Sequence, residues 1–375
     1  MPLTFPLAIE DDEKQVREKT AKFVDQHIRP TVEQDDATSR YRRELFDGVA
    51  QLGFHAFPHP VQYGGKAGSY RCYYAFLEEL GRGSLALSVS VGVTNLVQGA
   101  LVEFGTEEQK ERFLKPLTSG KYLGAFSLSE PQSGSDASAL RLAARKKQGG
   151  YVFNGTKIWC SNAGHADLYL VMARTGEHKT RGISSFLVPA NTPGFRIGKQ
   201  EKKLGLRAST LAELVFEDCF IPQDQLLGEE GTGFQVALSQ LDAGRISISA
   251  AGIAAATEAL ERALQYSHSE GTRDLFAEHF AKILSLKTML TVAAQNRDAG
   301  IPITVLASSL KLLSSDVAVQ VCHDAVHMLG YDGVRSGSGV ERLLRDAKAL
   351  QIVEGTNQVQ RLVLARHLDT LLKEV

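Results

Sequence analysis

Apolar residues recur three or four positions apart from Ile9 to about Gly120, the period of amphipathic helices. Examples are VREKTAKFVDQHI (16–28) and RCYYAFLEELGR (71–82). Pro58, Pro60 and Gly64–Gly65 predict a loop between such helices, and Thr106-Glu107-Glu108 predicts a capped helix start. The pattern changes near Lys121. Short apolar or alternating runs follow (YLGAFSLS, YVFNGTKIW, LYLVMAR, SSFLVP, AELVFEDCFIP), separated by Gly, Pro, Asn and Asp clusters. Strands with no helices between them predict a small antiparallel barrel or sandwich. From Phe234 the helical period returns, opening with a long Ala-rich stretch that runs from Ala237 to His268. The expected architecture is α+β and multidomain: a helical domain over 1–120, a β-domain over 121–233 and a helical bundle over 234–375.

Composition narrows the class. A chain of 375 residues is too long for one ordinary core, and 43% hydrophobic with 23% charged residues is the balance of a soluble globular protein. A net charge of −1 gives no long-range reason to expect nucleic acid or an anionic membrane surface as partner. Cys72, Cys160, Cys219 and Cys322 lie far apart with no CxxC pair, which argues against a disulfide framework or zinc ribbon and suits a reducing compartment. The acidic N-terminus lacks a signal core or Arg-rich transit pattern, and no apolar run is expected to reach the roughly 18 residues that span a bilayer. No membrane and a cytoplasmic setting are the expectations.

Three signals of chemistry fail. Gly81-Arg82-Gly83-Ser84-Leu85-Ala86 fits a dinucleotide fingerprint in letters, but it follows a helix where that fingerprint needs a strand, so a helix-ending turn is expected. His323 and His327 have half a zinc site's spacing without a third ligand, so no metal is expected. No GxSxG or Cys/His arrangement suggests acyl hydrolysis. Two loops resist a bland reading. Leu128-Ser129-Glu130-Pro131-Gln132-Ser133-Gly134-Ser135-Asp136 concentrates backbone N–H groups and hydroxyls that could cradle a phosphate or the polar edge of a flat heterocycle. Gln351-Ile352-Val353-Glu354-Gly355-Thr356-Asn357-Gln358 sets a carboxylate at a helix break. Residue chemistry alone leaves both open as ordinary surface turns.

At these loops the sequence resembles the acyl-CoA dehydrogenase family, over nearly its whole length. The blocks that carry the resemblance are Phe104–Lys110, Gly124–Pro131, Asn154–Asn162, Phe216–Cys219, Leu227–Phe234 and Arg345–Arg361, in that order. The resemblance implies an N-terminal helical domain, a middle β-domain and a C-terminal four-helix bundle. It also implies FAD, an acyl-CoA or carrier-bound acyl thioester, an electron-transfer flavoprotein as oxidant, and a homo-oligomer, tetramer or dimer.

By motif, Glu354 is implied as the base that takes the thioester's α-proton. Some relatives carry the base at the position held here by Gly244, so one candidate remains. Phe126, Leu128, Ser129, Ser135, Trp159 and Ser161 fall on flavin-contacting positions, and Thr356, Asn357 and Gln358 on the loop that grips FAD. His327 and Gly330 fall on positions near the cofactor's adenosine half, and Ser135, Asp242 and Arg245 on positions near the acyl-CoA. The family hydrogen-bonds the thioester carbonyl to a ribityl hydroxyl and to the base's own backbone N–H, which stabilises the developing enolate.

The chain departs from the pattern in several places. Gln132-Ser133 replaces a Gly-Ala pair, and His327 and Gly330-Tyr331-Asp332-Gly333 replace Gln and a Gly-Gly pair. The 267–276 loop keeps Arg273 without the usual Phe-Gly, and the segment from Phe280 to Gly300 is about ten residues short. Those changes predict a weakly held FAD or a smaller oligomer.

Overall fold

The computed structural model describes residues 3–266 and 270–373. Helices come first: α1 (Asp11–Phe23), α2 (Val32–Thr38), α3 (Arg43–Leu52), α4 (Tyr70–Gly83), α5 (Leu85–Phe104) and the short α6 (Glu107–Gln109) and α7 (Lys115–Thr118). The Thr106 start is capped as expected: its hydroxyl accepts from the Gln109 N–H while the Gln109 side chain accepts from the Thr106 N–H. Gly83 ends α4, and Ser84 caps α5 through Leu87 N–H. The Gly81–Ala86 stretch is thus a helix-to-helix turn.

The middle strands are β1 (Gly124–Ser127), β2 (Ala143–Lys147), β3 (Gly150–Ser161), β4 (Leu168–Arg174), β5 (Ile183–Pro189), β6 (Phe195–Gln200), β7 (Leu211–Pro222) and β8 (Leu226–Leu227). Their order is β6-β7-β3-β2-β4-β5-β8, with β1 beside β4. The expectation of an antiparallel barrel needs correcting on two points. The sheet is open, and both β1 and β2 run parallel to β4. β1 and β2 follow one another along β4, pairing with Leu168–Val171 and Arg174, and the chain returns to β4 through β3.

The remaining helices are α8 (Gly233–Tyr266), α9 (Glu270–Asp298), α10 (Thr304–Met328), α11 (Tyr331–Val334), α12 (Val340–Leu350) and α13 (Asn357–Lys373). α8 is the spine, packed by α4, α5, α9, α10 and α12. Its small side chains allow this. A Cβ on Gly81 of α4 would lie 2.9 Å from the Ala254 Cβ, and one on Gly252 would lie 3.1 Å from the Ser314 carbonyl of α10. One sequence expectation fails here. Leu85–Phe104 and Thr304–Met328 are long and apolar enough to cross a bilayer by length and composition, but α5 is packed into the protein with 83% of its apolar window buried.

Two buried polar contacts pin the pieces that flank the site. Asp346 of α12 accepts from the Leu206 N–H of the loop before β7, at 2.5 Å, and faces buried Arg342 at 3.6 Å. Lys157 of β3 is fully buried, and its Nζ donates at 2.8 Å to both the Leu128 carbonyl and Glu130 Oε1. Glu130 also accepts from the Arg141 and Leu142 N–H groups and from Gln132 Nε2. Burial lowers the Lys157 ammonium to about 8 against the pull of Glu130. Burial works against the Glu130 charge, but Lys157 and the two backbone N–H groups outweigh it and hold the carboxyl below its usual range. Both therefore stay ionised at neutral pH. The Gln132-Ser133 departure takes part in this bracing, with Ser133 Oγ donating to the Asp136 carbonyl at 2.7 Å.

Removing one partner of such a pair strands the other charge in the interior. Lys157→Met is expected to cost about 3–5 kcal/mol of unfolding free energy, measured by urea denaturation at pH 7. A cost below about 1 kcal/mol, the range of exposed pairs, would show that the pair is solvated.

Candidate active site

α12 ends at Leu350, and the chain turns before α13 begins at Asn357. Within that turn Glu354 takes φ 54°, a left-handed conformation that costs a side-chain-bearing residue about 1–3 kcal/mol and persists only where neighbours enforce it. Enforcement comes from buried side chains beneath the turn. Gln360 Nε2 donates to the Glu354 and Gly355 carbonyls at 3.2 and 2.8 Å. Lys311 Nζ, from α10, donates to the Gly355 carbonyl and to Asn357 Oδ1, each at 2.8 Å. Asn357 Nδ2 continues to Ser315 Oγ at 3.0 Å and Asp316 Oδ1 at 2.7 Å.

So held, the carboxylate lies on α8. A Cβ built on Gly244 would come within 2.5 Å of Glu354 Oε2, so the missing side chain at 244 is the space the carboxylate fills. Oε2 is buried and has no hydrogen-bond partner. Burial raises the carboxyl to about 7, against the opposing charges of Arg245 and Lys311. Arg245 is buried too, and its Nη1 donates to Asp242 at 2.5 Å and to Ser308 Oγ at 3.4 Å. Asp242 also accepts from the Thr304 hydroxyl. Among the described residues nothing accepts the Glu354 N–H.

The second loop meets a bulge in β3. Pairing with β7 slips between Lys157 and Cys160, and inside the slip Trp159 takes φ 55°. A bulge re-aims a side chain, and here it leaves Trp159 55% exposed, an unusual place for the chain's one indole. Gly134 stands beside it, with space for a Cβ 3.6 Å from Trp159 Cζ3. The Ser129 carbonyl accepts from the Ile158 N–H at 2.9 Å, which ties the loop to the bulge. Asn162, at φ 65° and fully buried, locks the strand's exit by bonding Ser90 and the Gly124 carbonyl.

The structure gathers the candidate residues into two groups. Leu128, Ser129 and exposed Ser135 lie on the loop beside Trp159, with half-buried Phe126 on β1 and half-buried Ser161 at the end of β3. Glu354 lies against Gly244, between Asp242 and Arg245 in the sequence of α8, while Thr356 and Asn357 follow it in the turn, with Asn357 held by α10. Phe126 and Val353 both pack against the large core of the helical domains. Three candidates stand apart. Gln358 is exposed, and His327 and Gly330 are exposed at the far end of α10, about 24 Å along the helix from Lys311 at 1.5 Å per residue. Arg273 of the 267–276 loop lies outside the residues whose side chains are described.

Sequence reasoning missed Lys311, Gln360, Asn162 and the Lys157–Glu130 pair. The available signal was a lysine set among small and apolar residues, as in Ala307-Ser308-Ser309-Leu310-Lys311-Leu312-Leu313.

Comparison with known proteins bears on all three zones. The acyl-CoA dehydrogenase N-terminal domain matches residues 10–121, the middle domain 125–219 and the C-terminal domain 231–368. An acyl-CoA dehydrogenase of Bacillus subtilis (strain 168) is 38% identical over 96% of this chain and 98% of its own length. The structure of butyryl-CoA dehydrogenase from Megasphaera elsdenii superposes with a TM-score of 0.93 at 35% identity, covering 96% of this chain and 99% of that one. A chain from the structure of the electron transferring flavoprotein of Acidaminococcus fermentans gives 0.95 at 36% identity, covering 96% and 99%. With its three zones matched in order and its loops built as described, this chain belongs to the acyl-CoA dehydrogenase family.

Proposed function

We propose that this chain removes two hydrogens across the Cα–Cβ bond of an acyl-CoA thioester, with Glu354 as the base. The observation that carries the assignment is the buried, unpartnered Glu354 Oε2 on the Cβ-free face of Gly244. A general base works best with a pKa near the working pH, and burial brings this carboxyl to about 7.

The β-domain surface fits FAD by its chemistry. It offers an exposed indole for a flat ring system, the loop with Ser129 and Ser135, and a buried Thr210 Oγ1 without a partner. Phe126, Leu128, Ser129, Ser135, Trp159 and Ser161 would hold the ring side, and Thr356, Asn357 and Gln358 the loop side. Asn357 acts indirectly, because its side chain is spent on Lys311, Ser315 and Asp316. His327 and Gly330 reach a cofactor only where subunits share it. When bound, FAD accepts the hydrogen that leaves Cβ as a hydride.

The remaining work falls to the chain's own atoms. The free Glu354 N–H binds the thioester carbonyl oxygen and stabilises charge as the α-proton departs, a contribution of about 3–4 kcal/mol for one such donor. Glu354 Oε2 takes that proton. Arg245, spent on Asp242 and Ser308, shapes the wall of α8 and tempers the charge of Glu354. Electrons leave to an electron-transfer flavoprotein. α13 exposes Leu362 (57%) and Leu368 (59%), apolar surface that suits a homo-oligomer contact. Four buried, unpaired cysteines suit a cytoplasmic setting.

Glu354→Gln should retain FAD and lose about 10²–10⁴-fold in dehydrogenation, the usual contribution of a general base. Activity within tenfold of wild type in an artificial-acceptor assay would remove Glu354 from the role. Moving the carboxylate, as Glu354→Gly with Gly244→Glu, should restore part of the rate, because the two side chains occupy one space.

The pH dependence follows from the same group. The base works ionised, so kcat/KM should rise with pH through about 7. Its folded pKa lies above the unfolded value, so ionising it weakens the fold progressively from about pH 4.3 to about 7. Glu354→Gln should therefore unfold at a higher temperature than wild type at pH 8 and at nearly the same temperature at pH 4. A variant no more stable at pH 8 contradicts a desolvated carboxylate.

Trp159→Ala should weaken FAD binding by roughly 2- to 10-fold, from the loss of about 0.5–1.5 kcal/mol of aromatic contact. An unchanged flavin dissociation constant alongside a lowered melting temperature would make Trp159 a packing residue.

A further inference from the structure

Lys311 is an odd residue to bury. Its side chain is fully enclosed, yet its ammonium meets only neutral acceptors, the Gly355 carbonyl and Asn357 Oδ1. Among the described residues no carboxylate lies within ion-pair distance of it. A neutral amide could make the same two hydrogen bonds without the cost of burying a charge, so the charge itself needs an explanation.

The ionisable groups around it supply one. From α8 come Asp242 and Arg245, already paired at 2.5 Å. From α10 itself comes Asp316, which accepts from Asn357 and Gln351 and faces Arg361 of α13 at 3.6 Å. From the turn comes Glu354, whose Oε2 has no partner. Arg245 keeps a buried Nε without a hydrogen-bond partner but is paired through Nη1, so Glu354 and Lys311 are the anion and the cation of this set without an ion-pair partner. Burial depresses the Lys311 ammonium to about 8, and the charge of Glu354 opposes that depression.

We propose that Lys311 is the positioning residue of the base: it clamps the turn after Glu354 through two hydrogen bonds, and its charge, alongside that of Arg245, favours the ionised form of the Glu354 carboxylate. It touches neither substrate nor the transferred proton. The proposal rests on reading Glu354 as the base. It separates two tasks that a purely structural lysine would not, since geometry acts equally at all pH values and charge acts only where Glu354 titrates.

The test is the pH profile of kcat/KM for the FAD-loaded protein, using butyryl-CoA and an artificial electron acceptor. In Lys311→Met the acid limb should move up by about one pH unit, the lower end of what a neighbouring opposite charge contributes. The deficit relative to wild type should then be about tenfold larger at pH 6 than at pH 9. Lys311→Gln, which can still donate to the Gly355 carbonyl, should show the same shift with a smaller loss at pH 9. Lys311→Arg keeps the charge and should leave the acid limb in place whatever it does to the rate. A uniform loss across pH in the neutral variants overturns the proposal, as does a shifted limb in Lys311→Arg. Should neither neutral variant fold, a shifted acid limb in Lys311→Arg still overturns the proposal. Glu354→Gln, run alongside, separates the two failures. If it stays active the base assignment falls, and if it is inactive while the acid limb of Lys311→Met stays put, only the role of Lys311 falls.

Discussion

How closely other backbones can approach α8 decides the rest of this molecule. A helix rich in Ala, Gly and Ser takes neighbours on nearly every side, because no side chain holds them off. Gly81 of α4 and Ser314 of α10 press against it near Ala254 and Gly252. Rather more than two turns toward the N-terminus the same rule has a different use. At Gly244 no helix fills the space, and the Glu354 carboxylate comes to rest there instead. Packing and chemistry thus draw on one property of the spine, and the site inherits the rigidity of the core.

The opposite half stores strain where the spine stores closeness. Trp159 and Asn162 are both left-handed and separated by two residues, which a free strand would not tolerate. Lys157 lies on one side, anchored to Glu130 and the Leu128 carbonyl, and Asn162 on the other, anchored to Ser90 and Gly124. Between these anchors the indole is presented to solvent. Glu354 repeats the device, a left-handed residue held by Lys311 and Gln360. Each of these two side chains, Trp159 and Glu354, is aimed by a left-handed conformation that buried neighbours sustain.

The architecture was legible in the sequence because it rests on periodicity, and so were the Thr106 cap and the turn at Gly83. Strand direction was not. β1 and β2 read as ordinary short apolar runs, and their parallel partner β4 is fixed by a crossover that no local pattern announces. Glu354 and Trp159 could be named through the family's motifs, yet their left-handed backbones could not, since neither is glycine. Lys157 and Lys311 stayed hidden for a related reason. A lysine reads as surface by default, and only three-dimensional contact shows two of them at zero exposure with defined acceptors. The apparent shortage of membrane-length apolar runs misled too, because α5 interleaves Ser, Thr and Asn that the folded core satisfies internally, as at Ser90 and Asn95.

The central claim is that Glu354 Oε2 is the atom that receives the α-proton. It can be isolated from oxidation by loading the protein with FAD, reducing it, and incubating it with butyryl-CoA in deuterated water. Deuterium at Cα is then followed by mass spectrometry. The account predicts labelling by wild type that rises with pH through about 7, none above background in Glu354→Gln, and partial recovery when the carboxylate is moved to position 244. Labelling by Glu354→Gln at the wild-type rate would contradict it.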